Sequence, residues 1–185
     1  MKKVVTRKSQ VKIPSGVEVS LDHLILKVKG TNGTVERDFS NPRIRIERDN
    51  DMIKVLPSNK KLTKKDKMYI NTTLSHIENI ISGVSRGYEA KLKICSGHFP
   101  MSVTLEGKNI IVKNFLGEKI PRKTQITEGV SVKIEGDIIK VTGCDKEKVG
   151  QTAATIESSC RIKNRDLRLF QDGIWLLDKV KEKND

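Results

Sequence analysis

Asp51-Met52-Ile53-Lys54-Val55 returns 86 residues later as Asp137-Ile138-Ile139-Lys140-Val141, and that echo decides the architecture. A repeat sets domain organisation before any helix or strand is assigned. Moving outward at the same offset, Ile44-x-Ile46 falls on Val130-x-Val132, Leu24-Ile25-Leu26-Lys27 on Ile110-Ile111-Val112-Lys113, and Ile13-Pro14-x-x-Val17 on Phe99-Pro100-x-x-Val103. Apolar positions meet apolar positions without a gap. Past Val55 and Val141 the offset becomes 79, so the first copy holds seven extra residues around Lys60-Lys61-Leu62-Thr63-Lys64-Lys65.

Ile70, Leu74, Ile77, Ile81 and Val84 then recur at helical spacing, and Val149, Ala153, Ile156 and Cys160 repeat the first four positions. Each copy therefore has one amphipathic helix whose apolar stripe faces a sheet. Thr63-x-x-Asp66 predicts a capping box, Gly87 a helix stop, and Asp145 the second helix's N-cap. Glu78 and Glu157 share a helix position, which points to a common structural bond at the helix edge. The strand segments are short and rich in Val and Ile. Gly30-Thr31-Asn32-Gly33, Asp49-Asn50-Asp51, Glu106-Gly107-Lys108-Asn109 and Glu135-Gly136-Asp137 supply turns between them. The fold class is α+β, in two tandem copies of a small domain over residues 1–86 and 87–185, each an antiparallel-rich β-sheet packed against one helix. Such a helix covers one sheet face and leaves the other face and the hairpin tips free for contacts.

Of 185 residues, 36 are Lys or Arg and 23 are Asp or Glu, a net charge of +13 that calls for a polyanionic partner. The first 86 residues hold 18 basic against 9 acidic side chains and the remainder 18 against 14, so neither copy is an acidic partner for the other. Nucleic acid leads, ahead of an anionic membrane or an acidic protein. The longest apolar run is Ile174-Trp175-Leu176-Leu177, and Met1-Lys2-Lys3-Val4-Val5-Thr6-Arg7 lacks a signal-peptide core, so the chain reads as soluble, intracellular and without a membrane partner. Only seven aromatic side chains are present, too few to lay rings under single-stranded bases, which favours structured RNA backbone. Cys95, Cys144 and Cys160 lack paired spacing and read as buried small residues; His23, His76 and His98 are scattered, so no metal is expected. No nucleophile stands beside a His and an acid in sequence, and no carboxylate cluster suits a catalytic metal. The chain is expected to be no enzyme and to need no cofactor.

Three basic groups remain as contact candidates. Gly30-Thr31-Asn32-Gly33 joins two strand-like segments, hence a hairpin turn and not a phosphate loop opening a helix, yet with Lys27, Lys29 and Arg37 it can bring backbone and charge to phosphate. Lys60, Lys61, Lys64, Lys65 and Lys67 form the densest run, either a solvated loop or a set of phosphate contacts without base specificity. Arg161, Lys163, Arg165 and Arg168, ahead of a turn and final strand, offer guanidinium forks for phosphate, against the alternative of a salt-bridge cluster with Asp166 and Asp172.

The motifs Ile13-Pro14-x-x-Val17, Gly30-x-x-Gly33 with Arg37-Asp38-Phe39, Ser75-His76-Ile77-x-Asn79 and Gly83-Val84-x-x-Gly87-Tyr88 span the first copy. His98-Phe99-Pro100, Asn114-Phe115-Leu116-Gly117-Glu118-Lys119 and Arg165-Asp166-x-Arg168-x-Phe170-x-Asp172-Gly173-Ile174 span the second. Together they make the chain resemble the universal large-subunit ribosomal protein six family, called nine in eukaryotic ribosomes, in its archaeal and eukaryotic branch. The resemblance implies a structural role in cytoplasmic translation, docking on large-subunit ribosomal RNA near the sarcin–ricin loop and the base of the factor-binding region. Neighbouring ribosomal proteins are then further partners, and translation factors pass close by. It also implies that the second copy supplies much of the RNA contact, through Arg161 to Gly173 and through Lys119, Arg122 and Lys123. Trp175, where the family usually has Tyr or Phe, and the acidic ending Lys181-Glu182-Lys183-Asn184-Asp185 depart from the pattern. Trp175 is expected to keep the apolar role. A free interaction protein and an RNA-processing enzyme are the competing classes.

Overall fold

The computed structural model describes residues 10–59 and 62–183; residues 1–9, with the stretch Met1–Arg7 read above, and Lys60, Lys61, Asn184 and Asp185 lie outside them. The chain divides between Arg86 and Gly87 into two units. In the first, β1 (Gln10–Lys12), β6 (Met52–Pro57) and β5 (Ile44–Asp49) form one antiparallel sheet in that order, and β2 (Glu18–Asp22), β3 (Ile25–Gly30) and β4 (Gly33–Asp38) form another. Alternation sets their faces: Leu26, Val28 and Val55 are fully buried, while Lys27 and Lys29 between them are exposed. Both sheets pack on α1 (Lys64–Ser85), whose stripe Ile70, Leu74, Ile77, Ile81 and Val84 is buried as its spacing predicts.

The N-terminus of α1 is closed by the expected capping box. The Thr63 hydroxyl accepts the Asp66 N–H at 3.2 Å, and the Asp66 carboxylate accepts the Thr63 N–H at 2.9 Å and its hydroxyl at 2.7 Å. Arg43 Nη1 lies 3.4 Å from the same carboxylate, so a buried acid has partners on every side.

The second unit holds β10 (Arg122–Gln125), β9 (Asn109–Lys113) and β8 (Ser102–Glu106) in one antiparallel sheet. The other is β11 (Val130–Glu135), β12 (Ile138–Gly143), β7 (Tyr88–Cys95) and β13 (Gly173–Glu182). α2 (Lys146–Ser159) starts from Asp145, whose side chain accepts the Glu147 N–H at 2.9 Å, and buries Val149, Ala153 and Ile156, with Cys160 behind them. Glu157 accepts the Leu176 N–H at 3.1 Å, which ties α2 to β13; the first unit has no counterpart of β13 among the described residues. Cys160 is buried, which pushes its thiol pKa up, whereas Cys95 and Cys144 are only half-buried, contrary to the expectation for all three. Trp175 is also more exposed than expected, at 44%, with its indole N–H on the Gln171 carbonyl at 3.1 Å. No helix among the described residues is long and apolar enough to cross a membrane.

The repeat is real, but the two copies do not keep one offset. Leu26 and Val28 sit in their hairpin as Ile110 and Val112 do in theirs, an offset of 84 instead of 86, since β2–β3 turns at Asp22–Ile25 and β8–β9 at Glu106–Asn109. A shift of two residues keeps every side chain on its face, so the apolar pattern alone cannot reveal it. The N–H of Ile13 donates to Asp51 O and that of Ile94 to Asp137 O, both at 2.8 Å, so Ile13 corresponds to Ile94 and not to Phe99. Between this point and the next strand the second unit has seven residues, 95–101, against the four of the first, 14–17.

The Thr63 hydroxyl and N–H, with Arg43 behind them, hold the Asp66 carboxyl below the usual carboxylate range. A depressed folded pKa stabilises fully above the unfolded value, and that contribution is lost as pH falls through the folded value. Thr63→Ala should lower the unfolding free energy at neutral pH by about 1 kcal/mol. Its deficit against the parent should narrow in acid, as urea titrations at both pH values would measure.

Candidate nucleic-acid interface

In the first unit, Gly30 pairs with Gly33 and leaves Thr31-Asn32 as a two-residue hairpin tip between β3 and β4. The tip is not free, contrary to expectation. Asn32 donates its backbone N–H to Val84 O at 3.1 Å and its side-chain amide to Ser85 O at 2.8 Å, and the Thr31 hydroxyl donates to Ser85 O at 3.1 Å. These donors satisfy carbonyls that a helix leaves unpaired at its C-terminus. Close approach requires Gly30: a Cβ there would stand 2.4 Å from Val84 Cγ1 and 3.0 Å from Val84 O. Lys27 and Lys29 share the exposed face and sit 3.5 Å from Glu36 and 3.8 Å from Glu18. Exposed pairs this long contribute little, so both cations can exchange partners. Arg37 pairs across from Leu26 on the core side of β4, with its guanidinium 5.6 Å from the Phe39 ring. The structure thus separates Arg37 from Lys27 and Lys29.

The second unit meets the same need differently. By the stripe register, Ser159 at the end of α2 corresponds to Ile80, so α1 runs five residues longer. The β9–β10 link spans 114–121, eight residues against the two of β3–β4. Where α2 stops short, an open cleft of about 550 Å³ gathers Lys123, Arg161, Lys163 and Arg165, with Ser158 and Ser159 from the helix. Segments some forty residues apart in sequence are thereby joined.

Arg122 also lines the cleft, with its guanidinium engaged inside the fold. Its Nε and Nη2 form a fork on Glu118 at 2.8 and 2.6 Å, Nη1 donates to Ser159 O at 2.7 Å, and the guanidinium lies 4.3 Å from the Phe115 ring centre. The fork holds the Glu118 carboxyl below its ordinary range and raises Arg122 further. Lys119, Lys123, Arg161 and Lys163 make no ion pair with any described residue.

The salt-bridge alternative for the arm 161–172 holds at one place only. Arg168 pairs with Asp166 at 3.0 Å and stays outside the cleft, while Asp172 meets no arginine. The buried Asp172 carboxylate accepts the Gly97 N–H at 2.5 Å and the His98 N–H at 3.2 Å, with His98 Nδ1 3.3 Å away. Burial pushes its pKa up, but the Gly97 N–H and the ring and N–H of His98 outweigh that and hold it low. Phe170 stacks on His98 at 4.8 Å, and Arg165 lies 4.9 Å over the same ring. The longer segment after Ile94 therefore anchors the basic arm, a role invisible in a sequence where the partners stand 75 residues apart. Among the described residues, no group of three or more His, Cys, Asp or Glu side chains could hold a metal ion.

The pattern of the ribosomal protein L6 family matches residues 13–87 and again 99–173. The chain belongs to the ribosomal protein L6 family. Large ribosomal subunit protein uL6 of Methanosarcina mazei is 46% identical over 171 residues, covering 92% of this chain and 96% of that one. The Methanococcus vannielii protein of that name is 42% identical over 173 residues, 94% of each chain, and that of Methanobrevibacter smithii 41% over 172, 93% and 96%. The L6 family is structural and non-enzymatic, and these relatives are archaeal. The second L6 match ends at Gly173, so nearly all of β13 lies beyond the repeated segment.

Two substitutions probe these anchors. Arg122→Lys cannot keep a two-pronged grip and should cost about 2 kcal/mol of unfolding free energy, measured by calorimetry. Asp172→Ala should speed amide hydrogen exchange at Gly97 and His98 while leaving exchange in β11 and β12 unchanged.

Proposed function

We propose that this chain is a structural constituent of the large ribosomal subunit that binds ribosomal RNA near the sarcin–ricin loop and the base of the factor-binding region in the cytoplasm. Membership of the L6 family and the names of its archaeal relatives support the ribosomal role. The RNA contact rests on one observation, the gathering of Lys123, Arg161, Lys163 and Arg165 around the cleft at the end of α2. Lysines act there as movable point charges and arginines as forks for phosphate oxygens. Contacts of this kind fix position and carry little sequence information. Lys27 and Lys29 on the first unit add a second foothold, and binding through two tethered units multiplies weak contacts. Neighbouring ribosomal proteins are further partners, and translation factors pass nearby.

Fractionation of cell lysate on sucrose gradients at low and high salt should place the protein with the large subunit under both conditions; a position at the top of both gradients would refute the assignment. Purified Lys123→Ala/Arg161→Ala/Lys163→Ala should bind large-subunit RNA with a salt dependence shallower by about two to three in log–log slope, at roughly 0.9 per lost phosphate contact.

A further inference from the structure

In the first unit the β3–β4 turn folds back to serve the carbonyls of Val84 and Ser85. In the second, Arg122 serves Ser159, and the β9–β10 link is released from that duty. The link is nevertheless firmly built. Phe115 is buried, the Glu118 N–H donates to Phe115 O at 2.9 Å, and Asn114 Nδ2 donates to Pro100 O at 2.9 Å. Leu116 sits at φ 51°, a conformation that a leucine keeps only where its surroundings enforce it, while Asn114 at φ 59° is in a region asparagine adopts readily.

At the far end of this link stands Ile120, between Lys119 and the fixed backbone of Pro121. Its exposure of 81% exceeds that of every other large apolar side chain among the described residues. One exposed aliphatic residue is ordinary. Here Leu167 and Leu169 on the basic arm are exposed as well, at 57% and 69%, so both cationic segments bordering the cleft carry uncovered aliphatic side chains. Protein interfaces tend to exclude lysine from their cores, whereas Ile120 is flanked by Lys119 and Lys123 with no ion partner. That company suits a polyanion with apolar faces of its own.

We propose that Ile120 packs directly against ribose and base faces of the bound RNA, a contact that adds affinity without charge. The inference rests on the RNA-binding reading above. Cations fix the backbone's position, and a rigid aliphatic tip buries against the sugar or a base step within reach.

The test is filter binding of the full-length chain, Ile120→Ala and Lys123→Ala to complete large-subunit ribosomal RNA of the source organism, across a potassium chloride series. Ile120→Ala should bind about fivefold to tenfold more weakly at every salt concentration, with the parent's log–log slope, since a tenfold loss is about 1.4 kcal/mol of apolar contact. Lys123→Ala should instead flatten the slope by about 0.9. The melting temperature of Ile120→Ala should match the parent's. Unchanged affinity, or a loss that comes with a changed slope, overturns the inference. So does an Ile120→Ala protein that binds RNA normally yet fails to stay in assembled subunits, which would assign the side chain to a protein neighbour. A parent chain without salt-dependent affinity for the RNA would instead bring down the functional reading, and this inference with it.

Discussion

The last carbonyls of a helix packed against sheets must find donors, and the way each unit supplies them governs what its surface can offer. In the first unit a two-residue hairpin tip bends onto the end of α1, and Gly30 makes the approach possible. The tip is spent on the fold. In the second unit the Arg161 N–H takes the Ser158 carbonyl and the Arg122 guanidinium takes that of Ser159, held in place by Glu118 on one side and the Phe115 ring on another. Delegating the task to a side chain frees a loop, shortens a helix and opens a cleft. One duplicated scaffold has thus become two different surfaces through a change of capping partner.

The distribution of charge follows from the same economy of contacts. A net charge of +13 says only that the protein as a whole is attracted to polyanions. Arg43, Arg122 and Arg168 each face an acid in the fold, and Arg48 donates to the Val19 carbonyl. Lys119, Lys123, Arg161 and Lys163 of the second unit make no such pair with any described residue, and neither do Lys12, Arg45, Lys64, Lys65 and Lys67 of the first. Counting basic residues by half cannot separate a cation that builds structure from one that remains available.

Much of the architecture was legible in the sequence, for reasons that are local. Helix stripes, the Thr63 capping box, the Asp145 cap and the turn residues are patterns over a few positions, and each forms as its chemistry requires. The resemblance to the L6 family rested on motifs in both copies, and the family match spans both. Register slips between the copies escaped notice, because a two-residue shift in a strand preserves facing and Phe99 is as apolar as Ile13. The candidate site was legible only in part. Arg161, Lys163 and Arg165 stood out as a cluster, and Lys123 by family likeness, but their meeting in one cleft depends on where α2 ends. Nothing in the sequence announced that Arg122 braces the end of α2, and Asp172 looked like an arginine's partner and is a clasp for backbone N–H groups far away in sequence.

The bond between Glu157 and the Leu176 N–H has a consequence for the chain before it reaches any partner. β13 lies at the border of its sheet and carries Trp175, Leu176 and Leu177, all substantially exposed. A long apolar border strand is a template on which another chain can add by strand pairing, the first step of aggregation. Here the carboxylate occupies one outward donor, and irregularities between Leu176 and Asp178 and between Asp178 and Lys181 break the row that follows. A newly made copy waiting for its RNA thus presents its neighbours with an interrupted edge, and crowding among identical chains is less able to turn that strand into a seed.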